Sequence, residues 1–368
     1  HLFPIRGKIF RKGHLSLLSI DYDMNRLRDI KTKTILAISL IIAGLTSCSP
    51  EEEFPQTPYG NFDALWTILD QRYCFFAYKN IDWNNVYTTY RARLDNDMNA
   101  QELFGVLAEM LAELKDGHVN LSSSFDVARY WDWFEDYPAN FDKNLIMQHY
   151  LHQPDYQIAS SLYYRMLDDC NIGYIYYESF SDKIGDGNLD EVLLAFSSCD
   201  GLIIDVRDNG GGQLSTVQQL ASRFTTEDFT SGYIRHKTGP GHNDFSDFYP
   251  ITQETAESNR IHFAKPVAIL TNRKCYSATN DFVSVMSNLP QVCIIGDCTG
   301  GGSGLPFSSE LPNGWVIRFS ASPIYNTQKE HTEFGIEPDI HVELTQEDIS
   351  NGFDTIIERA KKWILSGI

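Results

Sequence analysis

Residues 201–212 read GLIIDVRDNGGG. An unbroken apolar run without alternation is the mark of a strand covered on both faces, which belongs in a parallel sheet flanked by helices. Three consecutive glycines then end the strand. They let the backbone approach a ligand closely and aim amide N–H groups at it. The following QLSTVQQL has a helical period, so the turn also faces the positive end of a helix dipole. A tight strand-to-helix turn with no further role is the plainer reading. A phosphate loop is disfavoured, because no G-x-x-x-x-G-K-[ST] pattern and no neighbouring lysine accompany it.

The same grammar extends on both sides. IGYIYYESF (172–180), PVAILTN (266–272), VCIIGD (292–297) and GWVIRFS (314–320) are short β-rich runs, with helical stretches at 187–198 and 214–224 between them. Alternating strand and helix predicts an α/β fold, a mostly parallel sheet with covering helices. The tail TQEDISNGFDTIIERAKKWIL (345–365) predicts a terminal helix. Upstream the pattern changes. Leu65, Ile68, Leu69 and Tyr73, and then Leu103, Leu107, Met110, Leu111 and Leu114, recur at helical spacing. A small helical subdomain is therefore expected over 60–120, an irregular aromatic-rich segment over 121–170 and the α/β core over 171–368.

The first residues are set apart from this fold. MNRLRDIKTKTILAISLIIAGLTSC (24–48) has basic residues ahead of an apolar run too short to span a bilayer, ending in small residues before Cys48. This is a signal-peptide layout over 24–47. It resembles the lipobox of bacterial lipoproteins, in which Cys48 becomes the lipidated N-terminus; a plain signal peptide with an incidental cysteine is the alternative. Residues 1–23 read as an upstream extension and 48–59 as an acidic tether. The acidic residues behind Cys48 also resemble a surface-export signal, so the expected location is the envelope of a Gram-negative bacterium, lipid-anchored to the outer membrane.

The 368 residues carry a net charge of −19. Residues 1–47 hold eight Lys/Arg against three Asp/Glu, so the remainder lies close to −24. Such a field repels phosphate backbones and excludes nucleic acid as a partner. The cysteines form no Cys-x-x-Cys pair or Cys/His cluster, so neither metal nor other cofactor is expected. Cys170 and Cys199, each just before an apolar strand, could pair.

RKCYSATNDF (273–282) places Ser277 after a strand and at the opening of a helix, and IIGDCTGGGSG (294–304) adds a further glycine-rich strand end. Three such turns would gather at the carboxyl ends of the strands, where open α/β sheets bind ligands. A serine at a helix start is most often only an N-cap. Its other use is as a nucleophile whose neighbouring amide steadies an oxyanion.

IGYIYYESF, IIDVRDNGGG, CYSATNDF, IIGDCTGGGSG and GIEPDI, in this order and spacing, resemble the catalytic core of the C-terminal processing and tricorn-like serine peptidases, which is similar to the ClpP and crotonase fold. NFDALW, NIDW and LKDGHVNL extend the resemblance over roughly 60–368, toward the tricorn-like branch. It implies Ser277 as nucleophile and the amides of Gly211 and Ala278 as oxyanion donors, with Gly210 as a substitute for Gly211. The family's acid three residues after the serine is Asn280 here, with Asp281 next.

The lysine base of the processing branch is missing, since no lysine lies between Ser277 and Lys329 and Lys274 is expected to face solvent. The tricorn-like branch implies His118, from LKDGH, as general base, with His331 as runner-up. Glu333 matches the acid that orients the histidine. The family's linking serine before that histidine is Gly117 here, so Glu333 is expected to meet His118 directly, or through Ser122 or a water, with Glu337 as the lesser candidate. Too few residues separate His118 from the strand at 172 to hold a PDZ domain, which leaves substrate selection to the core cleft and the aromatic loop at 125–150.

The expected activity is hydrolysis of peptide bonds in unfolded or C-terminal protein segments. A non-catalytic binding protein for a peptide or apolar ligand, like the interphotoreceptor retinoid-binding modules of this fold, is the alternative. A crotonase-type acyl-thioester enzyme is weaker, because coenzyme A phosphates would meet an acidic protein.

Overall fold

A computed structural model of the chain describes residues 53–366. The extension 1–23, the signal segment 24–47 and Cys48 lie outside the described residues.

Four helices lead: α1 (Pro58–Arg72), α2 (Phe76–Lys79), α3 (Trp83–Arg91) and α4 (Ala100–Ala112). Local sequence starts three of them. The Thr57 side chain accepts the Gly60 N–H ahead of Pro58 at the first helical position, and Asp82 accepts from the Asn85 N–H. Asn99 and Glu102 form a reciprocal capping box.

Strands β1 (Asn120–Ser122), β2 (Val127–Ala128), β3 (Gln157–Ala159), β4 (Leu162–Met166) and β5 (Ile172–Tyr177) come next. Helix α5 (Asp186–Ala195), β6 (Gly201–Asp205), helix α6 (Leu214–Ala221), β7 (Phe229–Ile234), β8 (Tyr249–Gln253) and β9 (Val267–Thr271) follow. The chain continues through α7 (Ala278–Met286), β10 (Val292–Gly296), β11 (Gly304–Glu310), β12 (Val316–Tyr325), β13 (Ile340–His341) and α8 (Thr355–Ser366).

One sheet has the order β13-β10-β9-β6-β5-β4-β3 and is parallel from β13 to β5. Strands β5, β6 and β9 are buried at every residue. Leu189 and Val192 of α5, Val217 of α6 and Phe282 of α7 cover one face, while Ile356, Ile357 and Ala360 of α8 cover the other. This is the expected mostly parallel core with its covering helices.

The stretch 314–320 departs from expectation. Its run of apolar residues suggests the α/β alternation, but it opens β12 in a second, antiparallel sheet of order β2-β1-β12-β7-β8, with β11 also on β12. Ile317 and Phe319 point into an apolar cluster with the α1–α4 helices while Arg318 faces the other way. That is the alternation of a strand covered differently on its two faces. The tail also differs: a short helix, Gln346–Ser350, ends where Gly352 turns left-handed at φ +81°. Asp354 restarts the chain as α8 by accepting the N–H groups of Ile356 and Ile357. Cys170 and Cys199 are free thiols; the Cys199 thiol donates to the Gly201 carbonyl.

Beneath the glycine turn, Arg207 is fully buried between Asp205, at 2.6 Å, and Asp354, at 3.0 Å. The guanidinium also donates to the Asn140 carbonyl, so the turn after β6 is fastened to both α8 and the aromatic segment.

Candidate active site

The glycine-rich turns after β6 and β10 meet the Ser277 turn after β9 at the carboxyl ends of these strands. The Tyr276 N–H donates to the Asn209 carbonyl, the Ser277 N–H to Gly301 at 2.8 Å and the Gly300 N–H to Cys275. These bonds hold Ser277 at φ +58°, ψ −123°, a conformation costly for any residue but glycine and tolerated where the surroundings over-determine it. Ser277 stands at the N-cap position of α7, yet its side chain makes no capping hydrogen bond. Its Oγ lies 2.9 Å from Nε2 of His118, a residue 159 positions earlier, on the turn between α4 and β1.

His118 is buried, and its backbone N–H donates to Asp116 Oδ1 at 2.7 Å. Burial, opposed by Asp116, brings the imidazole down to about 4, with Arg318 and Lys79 acting in the same direction as burial. At neutral pH the ring is therefore uncharged and able to accept a proton. The rate at which Ser277 reacts with a fluorophosphonate should accordingly hold from pH 8 down to about 5 and fall with an apparent pKa near 4. A fall centred at the ordinary histidine value of about 6.5 would mean that the base is solvated. An inflection near 7 would belong to Glu333 and should vanish in Glu333→Gln.

Glu333 does not meet His118. Its Oε1 pairs with Lys79 Nζ at 2.8 Å and its Oε2 accepts the Ser303 N–H at 3.0 Å. Nδ1 of His118 is buried without a hydrogen-bond partner among the described residues. The expected direct contact is thus replaced by a buried ionic cluster. Lys79, at the end of α2, is 4% exposed and lies between Glu333 and Asp116, whose Oδ2 is 3.8 Å away. It also donates to the carbonyls of Leu114 and Lys115. Asp116 further accepts the hydroxyls of Tyr73 at 2.9 Å and Ser320 at 3.0 Å.

Burial alone would raise the Asp116 carboxyl, but Lys79, His118 and these hydrogen bonds hold it below its ordinary value. Burial pushes Glu333 up to about 7 against the pull of Lys79. Burial likewise works against the Lys79 ammonium, but the two carboxylates outweigh it and raise its pKa.

A serine at position 117 would not fit this arrangement. A Cβ there would stand 2.6 Å from Nε1 of Trp133 and 2.9 Å from the Tyr276 hydroxyl. Trp133 belongs to the aromatic segment and stacks on Tyr276 at 4.1 Å, and Arg273 donates to its carbonyl. The aromatic loop therefore closes against Gly117, the residue before the histidine. Ser122 lies on β1, paired with Val316, and Glu337 is exposed. His331 stacks on Tyr78 at 4.0 Å and against Tyr325, its Nδ1 unpartnered among the described residues. Lys274 is half-exposed and pairs with Asp208 at 3.2 Å rather than standing free.

Of the expected oxyanion donors, the Ala278 N–H opens α7. The Gly211 N–H already donates to the Asn209 side chain at 3.0 Å, an engagement within its own turn. Asn209 Oδ1 also accepts the Thr279 hydroxyl at 2.7 Å, which ties the turn to α7. Gly210 is exposed, and a Cβ there would touch nothing. Asn280, at the family's acid position, accepts from the Thr299 hydroxyl and donates to the Thr332 carbonyl, so it staples α7 to the strand ends.

A cavity of about 320 Å³ opens beside Ser277, between α7 and the 302–306 segment. Sequence reasoning missed Asp116 and Lys79. The first stood in view within LKDGH as a turn residue, and the second carried no local signal at all.

Comparison with known proteins agrees with this architecture. The peptidase family S41 model matches residues 171–342, and the tricorn protease C1 domain model matches residues 50–112. The crystal structure of a Parabacteroides merdae protein assigned as a peptidase superposes with a TM-score of 0.81 at 54% identity, covering 84% of this chain and 98% of that one. Mature CPAF, at 13% identity, shares the fold with a TM-score of 0.62, covering 84% of this chain and 96% of that one. The carboxy-terminal processing protease CtpB of Bacillus subtilis is 26% identical over 132 residues, 36% of this chain. The matches span only 18% and 25% of the lengths of the two curated relatives. Fold and relatives together are those of a serine peptidase. The chain belongs to peptidase family S41, among its C-terminal processing and tricorn-like members.

Proposed function

We propose that the protein hydrolyses peptide bonds in unfolded or C-terminal segments of other proteins through an acyl-enzyme on Ser277, with His118 as general base. What carries this reading is the 2.9 Å contact between Ser277 Oγ and His118 Nε2 at the mouth of a cavity. Ser277 Oγ attacks the scissile carbonyl carbon while its proton passes to Nε2. The tetrahedral oxyanion meets the Ala278 N–H and an amide of the 210–211 turn. As the C–N bond breaks, the amine leaves with the proton from Nε2. A water then repeats the sequence on the acyl ester, giving its proton to the same nitrogen and releasing the acid and free Ser277. Asp116, beside the imidazole, favours the transient imidazolium, and the Lys79–Glu333 pair holds Asp116 in place.

The test is the intact mass of the protein after incubation with a fluorophosphonate. One adduct on the wild type, absent from Ser277→Ala, is expected. No adduct between pH 6 and 9 would overturn the reading in favour of a binding protein of the same fold. The engagement of the Gly211 N–H by Asn209 is the observation that would then matter.

The reading includes an envelope setting, with the chain held to the membrane through a lipid on Cys48. Metabolic labelling with palmitate in a Gram-negative host should mark the wild type and not Cys48→Ala. Equal labelling of both would sink the anchor.

A further inference from the structure

Asp281 lies one helical turn beyond Ser277 on α7, its N–H donating to the Ser277 carbonyl at 3.0 Å. Residues four apart share a helix face, with Cβ atoms about 5–6 Å apart, so Asp281 follows Ser277 along one wall of the cavity that both line. The other walls are largely apolar, formed by Leu214, Leu305, Pro306 and Ile324. The remaining charge there is Arg318 of β12, and no ion pair joins it to Asp281 among the described residues. Partial burial pushes the Asp281 carboxyl up to about 6. An acid on a largely apolar wall without a counter-charge becomes costly once an occupant displaces its water. At neutral pH it remains mostly ionised.

We propose that this cavity receives the side chain of the residue on the acyl side of the scissile bond, and that Asp281 selects a cationic one, lysine or arginine. The inference rests on Ser277 being the peptidase nucleophile. The space is at the small end of ligand sites, suited to one side chain. The long stem of lysine or arginine matches the apolar walls while its charge reaches Asp281. A leucine seated there would cover the half-buried carboxylate without pairing it, and a glutamate would add a like charge.

The test uses four peptides identical except for Arg, Lys, Leu or Glu at that residue, with kcat/KM measured for wild type, Asp281→Asn and Asp281→Ala. Fluorophosphonate labelling of the wild type serves as the check on its competence. Arg and Lys should exceed Leu by about 30-fold or more, the usual penalty for an unpaired buried charge, and Glu should be poorest. In both variants the Arg-to-Leu ratio should collapse toward one. Wild type that labels on Ser277 yet cleaves Leu as well as Arg, or a ratio that survives Asp281→Asn, overturns the assignment of Asp281 alone. Absence of both labelling and cleavage overturns the peptidase reading and this inference with it.

Discussion

Lys79→Met is expected to destabilise the protein by about 3–5 kcal/mol at pH 8, because it strips the counter-charge from two carboxylates that remain buried. Asp116 is 1% and Glu333 4% exposed, so water does not replace the ammonium. The pH dependence identifies the mechanism. Without the ammonium both carboxyls titrate higher in the folded chain than in the unfolded one, so the folded state binds more protons. Stability of the variant should then fall as pH rises above about 4.5, and the gap to the wild type should be widest at alkaline pH. Urea midpoints for both proteins at pH 5 and pH 8 read this directly. Equal gaps at the two values would mean that Lys79 acts through packing of its stem rather than through charge.

His118→Ala is expected to slow acylation of Ser277 by about 10²- to 10⁴-fold, the usual contribution of a positioned general base. His331→Ala should leave the rate where it was. Both imidazoles are brought to about 4 by burial, so lowered basicity does not tell them apart; geometry does. His331 is enclosed by Tyr78 and Tyr325, whereas His118 holds the serine hydroxyl. The rate of fluorophosphonate adduct formation separates the two residues. Loss of rate in His331→Ala with retention in His118→Ala would move the base to the other ring.

The parallel core and its turns were legible because strands buried on both faces must be apolar throughout, and because triple glycines mark where the backbone comes close to something. Ser277 and His118 were reached through motifs resembling a family, since neither a serine at a helix start nor a lone histidine is distinctive by itself. Glu333 stood in view within its motif, but the sequence held no trace that Lys79 would pair with it. In FAYKNID that lysine reads like any surface lysine, and only the docking of α2 against the turn before β1 buries it. The strand at 316–325 was misplaced for a related reason. Its first residues imitate the core runs, and the alternation of Ile317, Arg318 and Phe319 that betrays an antiparallel strand becomes meaningful only beside its neighbours.

Ser277 is carried by the parallel sheet, whereas His118 enters from the antiparallel one. Their contact therefore spans the seam between two independently hydrogen-bonded layers, and a hydrogen bond beyond about 3.5 Å counts for little. A slip of less than 1 Å between the layers uncouples base from nucleophile. The chain thus carries its own safety catch: until both layers have closed on one another, a newly made molecule holds an ordinary alcohol and an ordinary imidazole.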